Sequence, residues 1–369
     1  MVTRKELNLA IFEGTADKVL WQPRLETWIG HHTQYGTFPA RYRSMDNLQI
    51  YDALRCSIRY EASVGIVSYQ ERGGAIFTEE RHADRVIQRW RTSSGEISMV
   101  HRQIWKGDTL LNSRIEDFPV KTVQDLHVAT DLMEYEQYRA DVPAFEAAAR
   151  RMGQRGEPSM IVAGSGFTDL IKNWAGLLNT NYLLYDHPAE VEAFLAACDR
   201  RDDRIADAAL QIPCRIFNLG DHANNEFTPP PILKKYLIPR WQRLSERYHA
   251  AGRFVHTHWD GNSRLILPYL KEMGLDGVEA LPPAPMGDMT LEEIKTAVGD
   301  KIVVLDLLRA IDFLPAFPLQ ELLDFTKRVM DIFAPRLILG ISDEISQVGE
   351  IEKVEAITEL VDKTCGLAE

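Results

Sequence analysis

Two histidines one residue apart, His256 and His258, close a short apolar run at residues 253–256. In an extended chain residues i and i+2 point to one side, so two imidazoles there could hold one divalent ion, although one packed and one solvated histidine is the plain alternative. Glu279 ends the next apolar run and is placed to reach the same ion, and Asp343 or Glu344, after the run at 337–341, could add an oxygen. A histidine and carboxylate set suits Zn²⁺, and Mn²⁺ or Fe²⁺ less well. Read structurally, Glu279 is a loop carboxylate and Asp343 a helix cap. A second candidate pair, Asp221 and His222, follows the run at 215–219, with the histidine as general base or ligand. Arg24, Glu26, Ser165 and Asp306 also fall at the ends of strand-like runs. Trp21, Trp28, Tyr35, Trp174 and Trp259 lie near these ends, where core packing is the commoner aromatic role and a substrate wall the sharper one.

The elements that must position these groups alternate. Apolar runs at 159–163, 215–219, 253–256, 276–280, 301–305 and 337–341 are each followed by a longer stretch of helical periodicity, the clearest at 231–250, 291–298, 319–333 and 350–365. Repeated strand-then-helix units imply a parallel sheet, because parallel strands need a crossover. The expected fold is α/β, a single (β/α)₈ TIM barrel over 1–369, with polar residues at the C-terminal strand ends facing the active site. A doubly wound nucleotide-binding sheet is disfavoured, since no Gly-x-Gly-x-x-Gly follows a strand and Gly164-Ser165-Gly166 lacks the third glycine. The first barrel strand is expected within 19–26, and 75–103 reads as hairpins forming an N-terminal excursion from the barrel.

Composition narrows the partners. The 369 residues carry a net charge of -12, which speaks against nucleic acid and against an anionic membrane surface. No run of about 18 apolar residues occurs, so no membrane span is expected. Cys56, Cys198, Cys214 and Cys365 form no Cys-x-x-Cys pair, and the first residues have no apolar segment of signal-peptide type. A cytoplasmic protein with reduced, structural thiols is the expectation.

Several stretches together resemble the uroporphyrinogen decarboxylase superfamily, which also contains corrinoid-linked methyltransferases. They are Phe217-Asn-Leu-Gly-Asp-His222, Tyr236-Leu-Ile-Pro239, Val255-His-Thr-His-Trp-Asp-Gly-Asn262, Gly274-Leu-Asp-Gly-Val-Glu279, Gly299-Asp-Lys-Ile302 and Leu337-Ile-Leu-Gly-Ile-Ser-Asp343. They cover residues 155–365, while residues 1–150 match more loosely. Decarboxylase members carry an arginine-rich segment near the N-terminus that grips propionates. Here the matching stretch is Trp21-Gln-Pro-Arg-Leu-Glu-Thr-Trp28, with Arg24 as its one cation, so a polycarboxylate substrate lacks its clamp. Methyltransferase members hold zinc by His-x-Cys and a later cysteine, which the resemblance places at His256, His258 and Asp343.

The resemblance therefore implies a zinc-dependent methyltransferase that moves a methyl group from a small O-methyl substrate to a corrinoid carried by a partner protein. His256, His258, Glu279 and Asp343 would hold the metal, and His222 would protonate the leaving oxygen. The alternative is a metal-independent decarboxylase of a small acid, with Arg24 binding the carboxylate and Asp221 acting on the substrate. A homodimer is expected from the family alone.

Overall fold

The computed structural model describes residues 2–70, 74–107 and 109–366, and within them the chain divides into two compact units. The first comprises residues up to 64, 142–162 and 213 onward; the second comprises 65–141 and 163–212. Strands are numbered along the chain. The first unit holds β1 (Leu20–Trp21), β8 (Ser159–Ile161), β9 (Ile216–Ala223), β10 (Phe254–Trp259), β11 (Gly277–Glu279), β12 (Val303–Arg309) and β13 (Leu337–Ser342). The second holds β2 (Ile66–Gln70), β3 (Ile76–His82), β4 (Arg85–Thr92), β5 (Gly95–Lys106), β6 (Thr109–Asp117) and β7 (Glu136–Ala140).

In the first unit the seven strands form one parallel sheet in the order β1-β13-β12-β11-β10-β9-β8. Neighbours in that sheet follow chain order, and β1 pairs with the last strand, so the sheet curls. Residues 57–59 run between its two edges. Ser57 N–H donates to Trp21 C=O at 2.9 Å, and Ser159 N–H donates to Arg59 C=O at 3.2 Å. The strands are near-continuous apolar runs, buried throughout β10 beyond Phe254 and throughout β13, as expected of a sheet covered on both faces. The opening helix Arg4–Glu13 is fixed by a Thr3/Glu6 capping box. It lays Leu7, Ile11 and Phe12 against Leu20, Ile216, Leu305 and Ile338, each worth about 1.5–3 kcal/mol on full burial. Helices Leu291–Val298 and Leu319–Phe333 stand at the residues their periodicity marks. The stretch 263–274 forms a short 3₁₀ helix, Leu267–Glu272, with Pro268 in its first turn.

The second unit contains a four-stranded antiparallel sheet, β3-β4-β5-β6, in which the hairpins expected over 75–103 stand as β3-β4 and β4-β5, and a separate β2-β7 pair. Ile97 of the larger sheet packs with Leu126, Leu132, Leu170, Val191 and Phe194 from its helices. Arg201 is buried there in a pair with Asp169 at 2.7 Å. Among the described residues no helix is long and apolar enough to cross a membrane.

Candidate metal centre

The geometry of the site begins with a bulge. Along β10, His256 pairs with Asn218 of β9, yet two residues further on His258 pairs with His222. The extra β9 residues are accommodated by Gly220 at φ 70°, a conformation glycine takes without a Cβ clash. Gly220 N–H donates to Asn218 Oδ1 at 2.8 Å, which fixes the bulge. Consequently His222 lies beside His258, with ring centroids 4.4 Å apart. On the other side of β10, His258 is in register with Glu279 of β11.

His258 Nδ1 lies 3.0 Å from Glu279 Oε1. A carboxylate accepts, so Nδ1 carries the proton, and in the neutral ring Nε2 keeps its lone pair, an arrangement common around histidines that ligate metals. That Nε2 is buried and has no hydrogen-bond partner. The donor atoms of His222, His258 and Asp260 lie within 4.8 Å of one another, and Asp343 Oδ1 is 3.9 Å from His258 Nε2. Two imidazoles and a carboxylate with donor atoms this close together fit a divalent ion such as Zn²⁺. Burial works against a charge on His258, but the bond to Glu279 and its charge outweigh burial and raise its pKa.

Glu279 itself is saturated. Oε1 accepts from Asn218 Nδ2 at 2.8 Å and from His258, while Oε2 accepts from Arg59 Nη1 at 2.7 Å and Tyr60 O–H at 2.6 Å. Four donors occupy the four lone-pair positions of the carboxylate, so Glu279 orients His258, and ligating an ion would mean giving up one of these bonds. Arg59 is 2% exposed and also holds Asp306, through Nη2 to Oδ1 at 2.8 Å, and Gln22, through Nε to Oε1 at 2.8 Å. Asp306 and Leu307 both sit at positive φ, 82° and 79°, a strained pair of non-glycine residues at the site. Gly340 makes room for Asp306, since a Cβ there would meet Asp306 Oδ1 at 2.4 Å.

His256 shares the face with His258 and Glu279, as the spacing implies, but its contacts differ. Nε2 lies 3.1 Å from Ser159 Oγ, and Nδ1 is 3.7 Å from Glu279 Oε2. Complete burial lowers its pKa to about 4, against the opposing pull of Glu279. The folded protein therefore binds this proton less readily than the unfolded chain. Stability should be full above pH about 6.5 and fall with acidification toward pH 4, by about 1.4 kcal/mol per unit. In urea unfolding of chelator-treated protein, the advantage of wild type over His256→Gln should shrink by about 2 kcal/mol between pH 7 and pH 5. Parallel pH profiles for the two proteins would rule out this origin for the shift.

The other residues singled out by sequence fall elsewhere. Asp221 is fully buried and accepts from Arg240 Nη1 at 2.9 Å and Trp241 Nε1 at 2.8 Å, tying β9 to the helix Ile238–Ala250. Arg24 is bound by Glu26 at 3.2 Å and Glu344 at 2.9 Å, and it covers the Tyr60 ring. Ser165 caps the short helix Gly166–Asp169. Trp28 and Trp259 are core residues, 2% and 0% exposed. Arg59, Tyr60, Asn218 and Asp260 were not anticipated. Arg59 and Tyr60 end the segment 56–60, too short to show a period.

No protein-family profile matches the chain, and no curated protein matches it. Among solved structures, a methyltransferase from Methanosarcina mazei superposes with a TM-score of 0.62 at 13% identity, covering 99% of this chain and 100% of that one. A B12-independent methionine synthase from Shewanella sp. W3-18-1, in complex with selenomethionine, gives 0.46 at 12% identity, over 95% of this chain and 98% of that one. The first likeness shows a shared fold.

Proposed function

We propose that this protein is a metal-dependent enzyme that removes a methyl group from a small O-methyl substrate and passes it to a corrinoid held by a separate protein. The reading treats residues 57–59 as an eighth strand, so that the curled sheet is a (β/α)₈ barrel with the centre at its C-terminal rim. The observation that carries it is the group of His222, His258 and Asp260, whose donor atoms lie within 4.8 Å of one another, together with the buried His258 Nε2 that has no hydrogen-bond partner. The resemblance and the shared fold supply the reaction class.

His222, His258 and Asp260 would hold the ion, with Asp343 as a further oxygen. His256 and Glu279 thereby leave the ligand set given by spacing, the first as a core residue and the second as the orienter of His258. Of the two roles that the sequence leaves open for His222, proton transfer and ligation, this set uses the second. A divalent ion in this set supplies Lewis acidity toward a substrate oxygen, and the absence of thiolate from the group matches a hard donor. Glu279 fixes the tautomer of His258, and Arg59, Tyr60 and Asn218 fix Glu279. The decarboxylase alternative needs a cation able to grip a carboxylate, whereas Arg24 already has Glu26 and Glu344. It also needs Asp221 at the substrate, and Asp221 is bound by Arg240 and Trp241.

The test follows methylcobalamin formation by absorbance with a panel of methoxylated aromatics and methylamines. Transfer from the ethers should require the metal and a reduced corrinoid. Chelation should lower the rate far more than it weakens substrate binding, because charge on the departing oxygen develops only in the transition state. Carbon dioxide release from a small acid, without metal or corrinoid, would replace this reading by the lyase.

A further inference from the structure

His222 and Asp260 lie at the ends of different strands, and nothing in either strand by itself sets their separation. Three residues beyond each of them the chain meets one carboxylate. Asp288, in the loop after β11, accepts from Ser263 N–H at 2.8 Å and Arg264 N–H at 3.0 Å through Oδ1. Its other oxygen accepts from Asn225 Nδ2 at 3.0 Å. Asn225 in turn accepts from Leu265 N–H at 3.0 Å through its Oδ1 and donates its own N–H to Asn262 C=O at 2.7 Å. Asn262 Nδ2 donates to Glu226 at 3.0 Å.

The Asp288 loop is itself fixed. Ala284 N–H donates to Met289 C=O at 2.8 Å, and Arg309 Nη1 donates to Ala284 C=O at 3.0 Å. Gly287 packs so closely that a Cβ would meet Pro282 O at 2.1 Å and Gly261 O at 3.2 Å. Gly261 N–H donates to Asp260 Oδ1 at 2.8 Å, which joins this packing to the candidate ligand.

We infer that Asp288 is a positioning residue, clamping the loops after β9 and β10 at the spacing that lets His222 and Asp260 share one divalent cation with His258. The inference rests on the metal centre proposed above. Asp288 does not touch the ion; its three bonds hold the two loops, and metal sites are sensitive to such support.

The experiment is calorimetric titration of chelator-treated wild type, D288A, D288N and H258A with Zn²⁺ and with Co²⁺, together with thermal unfolding and the absorption spectrum of bound Co²⁺. Wild type should bind about one ion per chain. D288A should raise the dissociation constant roughly 10- to 100-fold and alter the Co²⁺ spectrum. D288N keeps the acceptor for Ser263 and Arg264 and loses only the one for Asn225, so it should fall between the two. A lowered Tm for D288A with wild-type affinity and an unchanged spectrum would overturn the clamp and leave the metal centre standing. Absence of binding in wild type, or wild-type affinity in H258A, would overturn the metal centre and the clamp with it.

Discussion

On the metal centre and reaction proposed above, replacing His258 by alanine is expected to abolish binding of the divalent ion and to lower methyl transfer on the order of 10³-fold, since metal polarisation supplies several kcal/mol. In the group of His222, His258 and Asp260, the buried Nε2 of His258 has no hydrogen-bond partner, while its other nitrogen is held by Glu279. His256→Gln should retain the ion, because His256 Nε2 is engaged by Ser159 and not by the group of His222, His258 and Asp260. Elemental analysis of both variants, purified without a metal-chelating tag, decides the point. Equal loss of metal from the two would return His256 to the ligand set that its spacing suggests.

The second large effect concerns Arg59. Changing it to methionine leaves Glu279 and Asp306, 1% and 0% exposed, without the guanidinium between them. Breaking a buried ion pair from one side costs about 3–5 kcal/mol, more than the pair contributes against an apolar substitute. The loss should depend on pH in a defined direction. Arg59 pulls the pKa of both Glu279 and Asp306 down, so without it the folded protein protonates these carboxyls more readily than wild type does, and protonation relieves the unpaired charge. The stability deficit of Arg59→Met should be largest above neutral pH and narrow toward pH 4. Arg59→Lys keeps the charge but not the planar fork that spans two carboxylates and Gln22, so it should recover only part of the loss. Denaturant unfolding at pH 8 and pH 5 measures all three proteins. A deficit that is constant with pH would mean that lost packing, not unpaired charge, dominates.

Much of the first unit was legible in the sequence. The strand and helix alternation beyond residue 159 rests on local periodicity, and helices such as Leu291–Val298 begin at a readable cap, Thr290 with Glu293 three residues on. The residue types at the strand ends were legible for the same reason, because a strand that ends must turn and polar groups gather there. His258 and its neighbour Glu279 belong to consecutive units, and parallel register brings them within reach. The start of the chain was less readable. β1 has two residues and the segment at 57–59 forms no ladder of its own, so neither shows a period of two. Residues 75–103, expected as an excursion of hairpins, fall in the unit of residues 65–141 and 163–212, whose buried cluster depends on contacts between distant segments.

The amino-acid sequence by itself determined which strands carry titratable residues at their ends, because that information is local to each strand. Only the tertiary structure decided which of those residues meet. A bulge at Gly220 moves His222 beside His258, and a slip of two residues in a strand has no signature in composition. Arg59 reaches Glu279 across 220 positions of chain and occupies the oxygen that spacing had left for a metal. Asp221 lies next to His222 in the chain, yet it is bound by Arg240 and Trp241 of the following helix, away from the group that His222 joins. Side chains compete for partners in three dimensions, and a carboxylate already satisfied by four donors must give one up before it can ligate, whatever its neighbours in sequence suggest.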